Sequence, residues 1–299
     1  MKKKEVMSMA LLHVNFFART LGMGMSMDVI LPEGDQGIGV NGIPQWNDGR
    51  SDQLLWDGSS ALPTLYLLHG TSDDSTIWQR RTAIERYVSD KKLAVVMPNV
   101  HLSAYCDQKF GYKYFTFLSQ EVPEFCQRYF HCSAKPEENF IAGLSMGGYS
   151  ALKIGLRCPD RFGYAAGLSA GCNRLRGVEE ALGDTPSPEA LLARKDQMDP
   201  QDYQRALQFL LNFGSAEEYR TSKETNLFNI ASEIAEQKKP YPHLFITCGW
   251  DDPGVQANRD FHAHLEALGI DHLYYEAAGA HTWEYWDTHI QKVLEWLPI

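Results

Sequence analysis

The sequence predicts an α/β fold built on a mostly parallel, eight-stranded sheet with helices on both faces. Three observations carry that expectation. Short apolar, β-branched or aromatic runs alternate with segments of helical periodicity, the pattern of successive βα units. From the third run onward the strands read as almost unbroken apolar stretches, as strands covered on both faces do. The chain of 299 residues is 44% hydrophobic and 22% charged, enough apolar surface for one large core and too much for disorder.

Taken in order, residues 1–8 with the Lys2–Lys4 cluster read as a solvated leader tail. Glu5, His13 and Asn15, and the lack of a small-residue cleavage site, argue against a secretion signal. Strands are expected at 11–17, 25–31, 64–69, 94–98, 140–143, 164–168, 244–248 and 273–276. The first two pair as a hairpin through 21–24. Helical patterns fall at roughly 82–89, 115–129, 146–157 and 257–268, with a terminal helix near 285–297. Two stretches break this rhythm. Residues 34–60 form a polar, Gly-rich insertion too long for an ordinary connection. Residues 173–239 carry helical patterns but no strand, and read as a small helical cap over one end of the sheet. No linker separates two cores, so a single domain over 1–299 is expected.

Charge and composition exclude several partners. With 38 acidic against 28 basic residues the net charge is −10, which repels phosphate backbones and argues against nucleic acid. No apolar run reaches the ~18–20 residues that span a bilayer. Cys106, Cys126, Cys132, Cys158, Cys172 and Cys248 lack C-x-x-C spacing and read as free thiols, which points to the cytoplasm. No zinc-type cluster is visible, so neither a metal nor a cofactor is expected. The expected partner is a small molecule, and a homo-oligomer is left open.

The strongest motif is Gly143-Leu144-Ser145-Met146-Gly147, a G-x-S-x-G with an apolar strand before it and a helical pattern after it. That context makes a nucleophile elbow, a sharp turn that lifts a serine hydroxyl clear of the sheet. A serine needs a base within hydrogen-bond reach, itself oriented by an acid. Behind such an elbow the chain order is Ser, acid, His. Of ten histidines, His281 lies in a small-residue loop between the last strand and the last helix, where an imidazole can reach the elbow. For the acid, Asp251 and Asp252 both end the 244–248 strand; Asp252 is preferred and Asp251 is the alternative. Two backbone N–H groups complete an oxyanion hole: Met146 after the nucleophile, and Thr71 after the His69-Gly70 bend. Trp78, Trp250 and Trp283, with Tyr105 and Trp286, are candidate walls of a small acyl pocket.

On these residues the chain resembles the esterase D branch of the α/β-hydrolases, and within it the tributyrin esterase group of bacterial carboxylesterases. The segments that carry the resemblance include Tyr66-Leu-Leu-His-Gly70, Phe110-Gly-Tyr-Lys-Tyr114, Phe140-Ile-Ala-Gly-Leu-Ser-Met-Gly-Gly-Tyr149, Cys248-Gly-Trp-Asp-Asp252 and Gly279-Ala-His-Thr-Trp283. They spread over residues 9–299. The resemblance implies an α/β-hydrolase fold and cofactor-free hydrolysis of short-chain acyl esters, acetyl to butyryl. It implies Ser145 as nucleophile, Asp252 as acid, His281 as base, and Thr71 and Met146 as oxyanion donors. Relatives in the same branch cleave S-formylglutathione or remove acetyl and feruloyl groups from carbohydrates, and these are the alternative activities. A catalytically silent binding module is the remote one. Two departures stand out: the insertion at 34–60, and Pro253 where relatives often carry an aromatic residue, which puts one pocket wall in doubt.

Overall fold

The computed structural model describes residues 8–34, 60–183, 185 and 187–299. Apart from their end residues Ser8, Gly34 and Ser60, the leader tail and the 34–60 insertion lie outside the described residues. Eight strands form one sheet: β1 (Ser8–Ala18), β2 (Met23–Gly34), β3 (Thr64–Leu68), β4 (Ala94–Pro98), β5 (Asn139–Leu144), β6 (Tyr164–Leu168), β7 (His243–Gly249) and β8 (Leu273–Ala277). Across the sheet they run β1-β2-β4-β3-β5-β6-β7-β8. The β1–β2 hairpin and the β2–β4 pair are antiparallel, and every other pairing is parallel. The hairpin turn is held by a residue far along the chain: the Glu121 carboxylate accepts the N–H groups of Arg19 at 2.6 Å and Thr20 at 2.8 Å.

Alternation along the strands divides the core into two layers. Tyr66, Leu68 and Ile141 face one layer, while Leu65, Leu67, Phe140 and Ala142 face the other. Helical segment 114–130 and the helices Met146–Arg157, Leu227–Gln237 and Val255–Ala267 cover the first. Ile77–Arg81, Ile84–Val88 and Trp283–Trp296 cover the second. Every residue of β3 and β5 is buried, which is why those strands lack a polar alternation. Each fully buried Leu, Val or Phe contributes roughly 1.5–3 kcal/mol to holding the layers together.

The helix expected at 82–89 is two short helices instead, broken at Thr82–Ala83. The Thr82 hydroxyl donates to Trp78 O at 2.5 Å and accepts from Ile84 N–H at 3.1 Å. A side chain that bonds the backbone in this way competes with the helical ladder.

Between β6 and β7 lies a run of helices with local start signals. Ser187, Asp199 and Asn226 each accept an N–H of the first turn they precede, and Ser215 with Glu218 forms a capping box. The last of these helices, Leu227–Gln237, packs on Met146–Arg157 and Val255–Ala267. Among the described residues no helix is long and apolar enough to cross a membrane.

Candidate active site

Ser145 stands where β5 ends and the helix Met146–Arg157 begins, with φ +52° and ψ −112°. A non-glycine residue in such a region costs about 1–3 kcal/mol and persists only when its surroundings over-determine it. Here they do. Ser145 N–H donates to Leu168 O at 2.9 Å, and its carbonyl accepts from Tyr149 N–H at 3.0 Å and Gly171 N–H at 3.2 Å. A Cβ on Gly143 would lie 2.6 Å from the Gly147 carbonyl carbon, and one on Gly147 would lie 2.6 Å from both the Leu68 and His69 carbonyl oxygens. Both glycines are demanded by this close approach of strand, turn and helix.

The structure brings three of the expected side chains into one hydrogen-bonded chain. His281, in the loop after β8, places Nε2 3.0 Å from Ser145 Oγ and Nδ1 2.8 Å from Asp252 Oδ2. Asp252 is buried at the end of β7, and its Oδ1 accepts the Gly254 N–H at 2.6 Å. Burial pushes the Asp252 carboxyl up, but the hydrogen bonds from His281, Gly254 N–H and Ser169 outweigh it and hold the pKa below the usual value. An ionised Asp252 favours the tautomer with the proton on Nδ1, which leaves Nε2 free to accept the serine proton. Asp251 is exposed, its N–H donating to Gly279 O at 2.9 Å. It is Asp252 that meets His281.

Trp286 packs edge-on against the His281 ring at 4.9 Å and donates its indole N–H to Ser169 Oγ at 3.0 Å. Ser169 escaped the sequence reading, because a serine just past a strand carries no motif. Met146 opens its helix, so its N–H has no intrahelical acceptor. Thr71 sits in the loop after β3. A cleft of about 600 Å³ opens over Ser145 and His281, and Thr71, Asp73, Arg81, Trp283 and Trp286 line it. Burial and the neighbouring Asp74 push the Asp73 carboxyl up.

Two of the three wall tryptophans are placed elsewhere. Trp78 is wholly buried, donates to Leu68 O at 3.0 Å and meets Trp283 edge-on at 5.3 Å, so it backs the wall without lining it. Trp250 pairs its backbone N–H with Ala277 O and is 58% exposed as a residue, outside the cleft lining. Trp283 does line the cleft. Tyr105 is also fully buried, and Pro253 is exposed in the turn after Asp252, away from the cleft wall. Among the described residues, none from 173–239 lines the cleft either.

His69 has a structural environment. Its Nε2 accepts the Val100 N–H at 3.1 Å, so Nδ1 carries the proton and donates to Gly70 O at 2.8 Å. Burial lowers its pKa to about 4. Among the described residues no group of three or more His, Cys, Asp or Glu is arranged to hold a metal ion.

Comparison with known proteins identifies a family. The model of the esterase family, described as "Putative esterase", matches residues 53–297. The chain is 29% identical over 300 residues to an acetyl esterase of Caldicellulosiruptor saccharolyticus, covering 97% of this chain and 98% of that protein. Among solved structures it is similar to the fluorophosphonate-binding serine hydrolase F (FphF) of Staphylococcus aureus, with TM-score 0.74, 30% identity and coverage of 97% and 98%. The S-formylglutathione hydrolase FrmB of the same organism matches with TM-score 0.74, 30% identity and coverage of 97% and 99%.

Proposed function

The chain belongs to the esterase family, as a carboxylic ester hydrolase of the α/β-hydrolase fold, and from that premise we propose that it cleaves short-chain acyl esters through an acyl-enzyme on Ser145. The observation that carries the proposal is the chain Ser145 Oγ–His281 Nε2 at 3.0 Å and His281 Nδ1–Asp252 Oδ2 at 2.8 Å, at the floor of an open cleft.

In this mechanism Ser145 Oγ attacks the ester carbonyl while His281 Nε2 takes the hydroxyl proton. Asp252 holds the ring and stabilises the imidazolium that forms. The N–H groups of Met146 and Thr71 receive the oxyanion. His281 then protonates the leaving alcohol, and water, deprotonated by His281, releases the acid and restores Ser145. No step calls on a metal or cofactor. The six free cysteines support a cytoplasmic setting.

Acyl preference follows from the walls. Each methylene buried against Trp283, Trp286 and Leu144 gains about 0.8 kcal/mol until the chain outgrows the pocket. With p-nitrophenyl esters, kcat/KM should peak at C2–C4 and fall at least ~100-fold by C12. The resemblance to tributyrin esterases supports the same ordering. A profile still rising at C8–C12 would overturn it. A second reading, S-formylglutathione hydrolysis, is favoured by the similarity to FrmB and by the Arg81 guanidinium in the cleft, suited to a carboxylate on the leaving group. In the same assay, a kcat/KM for S-formylglutathione above that for p-nitrophenyl acetate would move the assignment there. No turnover of any ester would leave only a binding module.

A further inference from the structure

The turn at residues 104–106 is gripped by a lysine that no hydrolytic step uses. Lys153 lies two turns along the helix that Ser145 opens and is fully buried. Its Nζ donates to Ala104 O and Tyr105 O, both at 2.9 Å, and lies 2.9 Å from Cys106 Sγ. Among the described residues no carboxylate pairs with it. A buried ammonium is costly, and an apolar side chain of similar volume packs as well or better. Its place here therefore calls for an explanation beyond filling space.

The turn it grips is strained. Ala104 and Tyr105 have φ of 47° and 51°, two successive left-handed residues that are not glycine. Ser150 Oγ adds a further bond to Ala104 O at 3.1 Å, so one face of the nucleophile helix holds the turn. The turn in turn aims the Tyr105 hydroxyl, which donates to His69 O at 3.1 Å. That carbonyl is one of the two that press on Gly147 in the elbow. The Val100 N–H on His69 Nε2 fixes the imidazole, whose Nδ1–H in turn holds Gly70 O, so the His69–Gly70 segment is tied by three hydrogen bonds. Thr71 is the next residue.

We propose that Lys153 is a positioning residue: through the 104–105 turn and the Tyr105 hydroxyl it sets the direction in which Thr71 N–H faces Ser145. The proposal rests on Thr71 being the second oxyanion donor. Its reach is over transition-state stabilisation, not substrate binding.

Two variants test it, Tyr105→Phe and Lys153→Met, each assayed with p-nitrophenyl acetate and followed by amide hydrogen exchange. Misaiming a donor by a fraction of an ångström should lower kcat about tenfold in Tyr105→Phe and about 100-fold in Lys153→Met, with KM within about twofold. Exchange at the Asp73 and Val100 amides, which bond Gly70 O and His69 Nε2, should accelerate at least ~5-fold in both. If Lys153→Met does not fold, Tyr105→Phe, which loses one hydroxyl, decides alone. Unchanged kcat with only a lowered melting temperature would reduce the network to packing and overturn the proposal, as would unchanged exchange. A raised KM at constant kcat would overturn it in favour of a substrate contact. A wild-type protein that hydrolyses no ester defeats the proposed function instead, a result the variants cannot mimic.

Discussion

The elbow at Ser145 and the helical segment between β6 and β7 are held by opposite means. The elbow has little support of its own. Its positive φ is enforced by Leu168 and Gly171, and by the Leu68 and His69 carbonyls pressed against Gly147. In the segment, each main helix carries its own start: Ser187, Asp199, the Ser215–Glu218 box, Asn226. Geometry imposed by distant strands makes chemistry sensitive to small changes while the fold persists. Geometry specified locally makes stability the thing that changes, in small and nearly independent steps.

The largest effect belongs to the elbow. Ser145→Ala keeps the Cβ and the strained backbone, so the melting curve should move little while kcat falls roughly 10⁴–10⁶-fold. Steady-state rates beside a thermal melt check both halves; a variant that keeps most of its activity would end the serine-hydrolase reading. Next comes the pair of aspartates. Asp252→Asn should lower kcat about 10⁴-fold, because an amide favours the wrong imidazole tautomer. Asp251→Asn, on an exposed side chain, should cost about tenfold or less against that triad scale. A reversed ranking would reassign the acid. The smallest effect is in the helical segment: Ser215→Ala removes one side of the capping box and should cost about 1 kcal/mol in urea unfolding. Its kcat/KM should stay within about twofold, since these helices add nothing to the described lining of the cleft. A tenfold loss would mean that the segment reaches the chemistry after all.

What could be read from the sequence follows the same division. β4, β6 and the helix Met146–Arg157 lie at the residues that apolar runs and helical period mark, because burial on both faces leaves a strong pattern. The elbow is legible for a similar reason: two close backbone approaches require glycines at fixed offsets from Ser145. Asp251 and Asp252 are harder to separate, since both follow β7 and only the turn closed by Gly254 N–H decides which carboxylate turns inward. Trp78 and Trp250 carry no mark of their final surroundings; one is drawn into the core by a partner on Leu68, the other left in solvent. Lys153 is the least legible. On a helix it reads as an ordinary solvated residue, and nothing in its spacing announces a strained turn some fifty residues earlier in the chain (153 − 104 = 49).

The order of strands has a consequence for how the molecule comes into being. The β1–β2 hairpin closes over a handful of residues, a local event of microseconds. The centre of the sheet has no such shortcut: Tyr66 pairs with Ile141 across 75 residues (141 − 66 = 75), and β6 finds β7 only after the whole helical segment has been made. Closing long loops before any contact rewards them slows assembly. His281 follows β8, and so is made after both strands that flank β5. A nascent chain that already carries Ser145 therefore has no His281 beside it until 136 further residues, β7 and β8 among them, have been made.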